Sequence, residues 1–198
     1  MVFGGPIPGE TPIDDISGLK INGITTREEL NKVEAENIRR AITKYLAGIP
    51  NRRTARFDLS WTLRLHREMF GDVWKWAGSL RKSDLSIGMP WPNVETNLYT
   101  LLENLKCWET EQRDILEQAV WLHHRAVFIH PFQNGNGRWA RLIANIWLRL
   151  HKAATVDWPE VTIGSTSQIR EEYLVAIRKA DNGEYQPLLD LHRWFQSS

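Results

Sequence analysis

The chain has 198 residues, of which 42% are apolar and 25% charged, with a formal net charge of +1. That composition describes a globular protein with enough chain for a substantial core, and so balanced a charge gives no net field to attract nucleic acid or membranes. A single cysteine, Cys107, excludes an internal disulfide, the scattered histidines give no zinc pattern, and no apolar run reaches membrane-spanning length.

Residues 1 to 24 carry Gly, Pro and Asp without periodicity and are expected to form an extended arm. Their start has neither a basic nor an apolar leader segment, so no signal peptide is expected and the cytoplasm is the expected location. Residues 25 to 198 are read as a single helical domain. Thr25 or Thr26 caps the first helix, with Glu28 and Glu29 in the first turn, where the helix dipole favours acids. Leu30, Val33, Ile38, Ile42 and Tyr45 give it an apolar stripe, and Gly48 and Pro50 stop it. The basic loop that follows, with Arg52, Arg53 and Arg56, is either a solvated turn or a phosphate or partner contact. Asp58 caps a second helix, which runs to Phe70 before Gly71 and turns Leu59, Leu63 and Met69 inward.

Leu80 to Pro90 is short and interrupted by Gly88, which suits a small hairpin carrying Leu85 and Ile87, or else an irregular loop. Val94, Leu98, Leu101, Leu102 and Leu105 mark the next helix. Ile115 to Phe128 is apolar around much of its circumference and should be buried. His123 and His124 within it face different sides, so they are core residues, or at most one of them shares a site. Another apolar helix runs from Trp139 to Leu150, a connection spans 153 to 164, and Ser165 or Thr166 caps a helix ending at Asn182 and Gly183. Leu188, Leu189, Leu191 and Trp194 lie on a last helix. The class is all-α.

Between the two most apolar helices lies Ile129-His130-Pro131-Phe132-Gln133-Asn134-Gly135-Asn136-Gly137-Arg138-Trp139-Ala140-Arg141. Pro131 disfavours helix at His130, so the first helix ends there. Gly135 and Gly137 permit backbone angles closed to other residues, and the next helix begins beside them. Unpaired amides at a helix start, with the helix dipole, favour an anion. Arg138 and Arg141 stand on one face of that first turn and add two positive charges. His130 stands at the rim, where a side chain able to move protons near neutral pH suits phosphoryl or nucleotidyl transfer.

HPFQNGNGRWAR closely resembles the Fic-domain signature H-P-F-x-(D/E)-G-N-G-R-x-x-R, departing at one fixed position, where Asn134 occupies the acidic slot. Met69 to Gly78 resembles the segment before the family's β-hairpin flap, and Ala180 to Leu189 resembles its closing segment. Gly9 to Pro12, Ile24 to Leu30 and His123-His124-Arg125 are similar to a bacterial subgroup called mobile mystery protein B. The resemblance implies a Fic-type helical bundle with a small β-hairpin flap. It also implies transfer of AMP from ATP to a Ser, Thr or Tyr hydroxyl of a target protein.

On that resemblance His130 is the general base. Gly135, Asn136 and Gly137 hold phosphate oxygens, and Arg138 and Arg141 neutralise the outer phosphates. Asn134 offers a neutral carbonyl where the family's acid binds Mg²⁺, a weak ligand for a hard cation. Leu85, Ser86 and Ile87 form the flap that docks the target by strand addition. Glu36-Asn37 matches half of the family's autoinhibitory motif, with Lys32 where Ser or Thr is expected, so Glu36 either pairs with Arg141 or lies on an exposed face. An antitoxin partner of a toxin-like enzyme is left open. Two other readings stand beside AMP transfer: phosphoryl transfer as in the Doc relatives, and a binding module with little turnover.

Overall fold

The computed structural model describes residues 16–163 and 167–196. They form helices α1 (Arg27–Leu46), α2 (Leu59–Phe70), α3 (Val94–Thr110), α4 (Ile115–Ile129), α5 (Asn136–Leu150), α6 (Glu160–Ile163), α7 (Gln168–Asp181) and α8 (Gln186–Trp194). Their starts follow capping chemistry. Thr26 and Glu29 form a reciprocal capping box on α1, Asp58 accepts from Trp61 N–H on α2, and Asp114 accepts from Glu117 N–H on α4. Ser167 caps α7, while the expected caps Ser165 and Thr166 lie outside the described residues.

α5 is the central helix. It packs against α4 and is flanked by α1, while α4 also meets α3, α7 and α8. Trp139, Ile143, Ile146 and Trp147 of α5 are fully buried. Phe57 binds the layers together, its ring centroid 4.6 Å from Trp61 and 4.8 Å from Trp147. The basic loop is tied down rather than solvated throughout: Arg52 pairs with Glu109 and lies 4.8 Å over the Trp147 ring, and Arg56 meets Asp58 at 2.9 Å. No helix among the described residues is long and apolar enough to cross a membrane.

Three expectations change. Leu80 to Pro90 is irregular, and among the described residues β pairing is confined to isolated bridges at Leu19–Trp74 and Val156–Gln196. Leu85 and Ile87 are half-buried and alternate with exposed Ser86 and Gly88, which mimics a strand pattern without a partner strand. On α2 the buried face is Trp61, Leu65 and Met69 together with Thr62, His66 and Phe70, leaving Leu59 and Leu63 half-buried at its edge. Trp194, the last residue of α8, is 82% exposed. Of the expected arm, residues 1–15 lie outside the described residues. The part after them runs against the turn after α2, with Lys20 N–H bonded to Val73 O and Lys75 N–H to Gly18 O.

Candidate active site

The site is the elbow between α4 and α5. α4 ends at His130, whose backbone is left-handed (φ 53°, ψ 61°), so the chain turns sharply before Pro131. A non-glycine residue seldom holds that conformation, and Arg81 supplies the restraint. Its Nε donates to His130 O at 2.7 Å, its Nη1 to Ser83 O at 2.9 Å and its Nη2 to Met89 O, while its own amide donates to Pro131 O at 3.0 Å. One buried guanidinium thus closes the C-terminus of α4 and gathers both ends of the 80–90 loop over the elbow. This is why that loop is not a hairpin: its carbonyls are gathered by a side chain instead of a facing strand.

Inside the elbow, the Asn136 side chain receives Phe132 N–H at 2.8 Å and donates to Phe132 O at 2.8 Å. These bonds staple the loop into shape and anchor Phe132 in the core. They also turn the Asn136 amide toward the backbone, away from the phosphate role expected of it. His66 on α2 stacks on Phe132, centroids 3.6 Å apart. Its Nδ1 accepts from Gly78 N–H at 3.0 Å, so the ring hydrogen sits on Nε2 and donates to Asn134 O at 3.1 Å. Burial holds His66 neutral, down at about 3.

Gly135 adopts φ 78° at the N-cap of α5, and a Cβ there would lie 2.5 Å from the Phe70 ring. Glycine is required on both counts. Gly135 N–H donates to Asn134 Oδ1 at 2.6 Å, and the first intrahelical bond of α5 runs from Trp139 N–H to Gly135 O. The amides of Asn136, Gly137 and Arg138 therefore precede the hydrogen-bonded helix and form its positive end.

Both expected phosphate arginines meet carboxylates. Arg138 stacks over Phe70 at 4.9 Å and donates to Glu34 Oε2 at 2.7 Å; Glu34, buried on α1, also accepts from Trp74 Nε1 at 2.6 Å. Arg141 donates from Nε to Glu160 Oε1 at 2.7 Å and from Nη2 to Glu160 Oε2. The Glu160 carboxylate overcomes burial and raises the pKa of Arg141 above its ordinary value. Glu36 does not reach Arg141. It lies on the exposed side of α1 and pairs with Arg39 at 2.8 Å, because the register of α1 turns Glu34, not Glu36, toward α5. A cleft of about 790 Å³ opens from Arg138, Arg141 and Glu160 along Ile38 and Leu142 to Trp158. A cation-lined end and an apolar body suit an anionic ligand with a flat apolar part.

His130 is 6% exposed, and the 80–90 loop crosses it so closely that a Cβ on Gly88 would lie 2.4 Å from His130 Cβ. Burial, aided by the charge of Arg81, lowers its pKa to about 4 despite the Val127 carbonyl at 3.3 Å. The ring is neutral at physiological pH and so can accept a proton. His123 and His124 separate as their spacing demands. His124 faces Asp181 and Tyr185, while His123 faces Tyr173 and His192.

The sequence reading missed His66, Arg81, Glu34 and Glu160. None of these lies in a contiguous motif, and each acts through a partner at least 19 residues away. Asn134 lies in the elbow between α4 and α5. Asn134 is neutral, its Oδ1 already accepts from Gly135 N–H, and no group of three His, Cys, Asp or Glu among the described residues could hold a metal.

Residues 56–148 match the family model described as Fic/DOC family. The chain is similar to protein adenylyltransferase Fic of Drosophila mojavensis, 30% identical over 151 residues, covering 68% of this chain and 29% of that protein. It is similar to protein adenylyltransferase fic-1 of Caenorhabditis briggsae, 26% identical over 178 residues, covering 87% of this chain and 33% of that protein. The chain thus spans about a third of the length of the curated relatives it matches. Among solved structures, the Fic-1 fragment from C. elegans superposes with TM-score 0.70 at 24% identity, covering 88% of this chain and 50% of that one. The VirB-translocated effector BepC of Bartonella tribocorum, with bound AMPPNP, superposes with TM-score 0.64 at 19% identity, covering 88% and 90%.

Proposed function

We infer that this chain, whose residues 56–148 form a Fic/DOC family domain, transfers AMP from ATP to a Ser, Thr or Tyr hydroxyl of a target protein. The observation that carries the reading is a neutral His130 at the rim of a glycine-bearing helix start that also carries Arg138 and Arg141. The names of the adenylyltransferase relatives support it, as does the AMPPNP held by the BepC neighbour.

In this reading His130 takes the hydroxyl proton as the oxygen attacks the α-phosphorus. The bond from that phosphorus to the bridging oxygen breaks, and pyrophosphate leaves. General-base help of this kind is worth roughly 10²–10⁴-fold. The amides at the start of α5 and the two arginines face the charge that develops on the departing phosphates. Glu34 and Glu160 must give way for that to happen, so the arrangement described above is a restrained one. Mg²⁺ enters with the nucleotide as part of the substrate.

The 80–90 loop, with Leu85, Ser86 and Ile87, keeps the role of target seat, adopting strand pairing only when a target segment supplies the partner. The finer placement in the mobile mystery protein B subgroup, a toxin-like role in a bacterial cytoplasm and an antitoxin partner belong to the same proposal. They rest on the motif resemblances. A second reading, a nucleotide- or partner-binding module with little turnover, is favoured by Asn134 and by the carboxylates on both arginines. Phosphoryl transfer ranks below it, because the Doc relatives carry Lys-Arg where this chain has Gly137-Arg138.

Incubation with α-labelled and then γ-labelled ATP separates the three, self-modification sufficing as a first readout. Label from the α position on protein is expected. Label from the γ position alone means phosphoryl transfer, and retention of nucleotide without either label means a binding module.

A further inference from the structure

A second cavity, of about 380 Å³, opens between α3 and α4 and shares no lining residue with the cleft beside Arg141. Its walls are Trp108, Trp121 and Tyr185, all half-buried. The rings of Trp108 and Trp121 meet at 65° with centroids 5.1 Å apart, and those of Trp121 and Tyr185 at 76° and 6.4 Å. These are edge-to-face pairs, the arrangement that ring quadrupoles favour. Rings set so steeply make a box for one flat group rather than a trough for an extended chain. The Tyr185 wall is fixed from behind. The Asp181 carboxylate can only accept, so His124 Nε2, 2.8 Å away, carries the ring hydrogen. Burial lowers the pKa of His124 and keeps the ring neutral, so its Nδ1 accepts from the Tyr185 hydroxyl at 3.1 Å.

Charge at this cavity is one-sided. Arg113 and Arg125 line it, and no Asp or Glu does. Arg113 is exposed, lies 5.4 Å over the Trp121 ring and pairs with Glu111. Arg125 is half-buried, stacks over Phe128 at 4.6 Å and has no carboxylate partner among the described residues. Trp121 and Arg125 stand four residues apart on α4, so they lie side by side on one face. A guanidinium held half out of water beside aromatic faces, with no acid to neutralise it, selects an anion carried on a flat ring. The volume is at the small end of the range for ligand pockets, roughly 300–1,000 Å³. We propose that this cavity is a second ligand site, for a compound with one or two fused aromatic rings and a single carboxylate or phosphate. The ring lies between Trp108, Trp121 and Tyr185, and the anion meets Arg125. The site is independent of the adenylyl-transfer reading, in which none of its lining residues has a role.

The test is calorimetric titration of the full chain with compounds that share one ring system and differ in the charged group. They are 1-naphthoate, 1-naphthyl phosphate, the neutral 1-naphthol and the cationic 1-naphthylmethylamine. At least one anion should bind, one molecule per chain and about tenfold or more tighter than naphthol, and the amine should not bind. The tighter of the two anions tells a carboxylic acid from a phosphate ester. Arg125→Gln should weaken the anion about tenfold, the scale of one hydrogen bond to a charged group, with naphthol affinity and melting temperature nearly unchanged. In the wild type the indole N–H resonances of Trp108 and Trp121 should move as the anion binds, a check that needs no variant in the site. Naphthol or the amine binding as well as the anions, or no binding of either anion at millimolar concentration, would overturn the proposal. So would anion binding that survives Arg125→Gln and is lost in Arg141→Gln, which places the anion in the other cleft.

Discussion

Glu160 grips Arg141 with both carboxylate oxygens, one 2.7 Å from Nε and the other on Nη2, while most of the arginine is buried and nearly half of the glutamate side chain faces solvent. A two-point carboxylate pair on arginine has the geometry and charge of a two-point phosphate contact, so the two exclude each other. Glu160→Gln should therefore tighten ATP binding several-fold and raise the transfer rate, read by titration and by α-label incorporation. Glu36→Gly should change neither, since Glu36 pairs with Arg39 on an exposed face. Activation by Glu36→Gly with a silent Glu160→Gln would reverse the assignment.

The low pKa of His130 makes a pH prediction with a definite sign. Burial pushes its pKa to about 4, so the neutral, base-competent form persists well below the usual histidine range. The rate should stay flat from pH 7 to about 5, where an unperturbed histidine near 6.5 would already be largely protonated. An acid limb centred near 6.5 would mean that the 80–90 loop leaves His130 solvated in the working enzyme. His130→Ala should abolish transfer across the whole range while ATP affinity stays within a few-fold.

The buried histidines also set the acid stability. His66, His123, His130 and His192 are held neutral by burial, two of them to about 4 and His66 to about 3. In the unfolded chain each takes up a proton near 6.5, so below that pH the unfolded state binds more protons and stability falls as pH falls. Each ring costs about 1.4 kcal/mol per pH unit in that window, against a typical total of about 5–15 kcal/mol. Melting temperature should be level from pH 8 to 7 and drop steeply between 6.5 and 5. A flat profile through that window would place these rings in water.

Much of this was legible because it is local. The elbow from His130 to Arg141 is contiguous, so its glycines, its proline and the two arginines could be read as one unit, and Asp58 caps α2 as its residue type predicts. Long-range pairing was not legible. Periodicity puts Glu34 and Glu36 on opposite sides of α1, but which side meets α5 is settled by the packing of α1 on α2 and α5. The half-buried alternation of Leu85 and Ile87 fits a strand or a loop equally, and Arg81, an ordinary residue in the sequence, decides for the loop by gathering its carbonyls. His66 gives no signal at all, because its two partners, Gly78 N–H and Asn134 O, are backbone atoms.

The last prediction concerns Asn134. Its Oδ1 accepts from Gly135 N–H at 2.6 Å, a bond that helps shape the loop and that a carboxylate would make more strongly. Asn134→Asp therefore keeps the loop geometry, adds no bulk and introduces the charged oxygen that a hard cation prefers. If the nucleotide and water alone hold Mg²⁺ in the wild type, half-saturating Mg²⁺ should be high; in the variant it should fall and the initial rate should rise. There is an opposing force. The same carboxylate sits at the positive end of α5, where the phosphates of ATP are to bind, and without a metal between them the two negative charges repel. At low Mg²⁺ the variant should consequently bind ATP more weakly than the wild type, and the order should reverse as Mg²⁺ rises. Initial rates and ATP affinity measured across a Mg²⁺ series for both proteins decide the matter, and a variant slower at every Mg²⁺ concentration would remove Asn134 from any metal role.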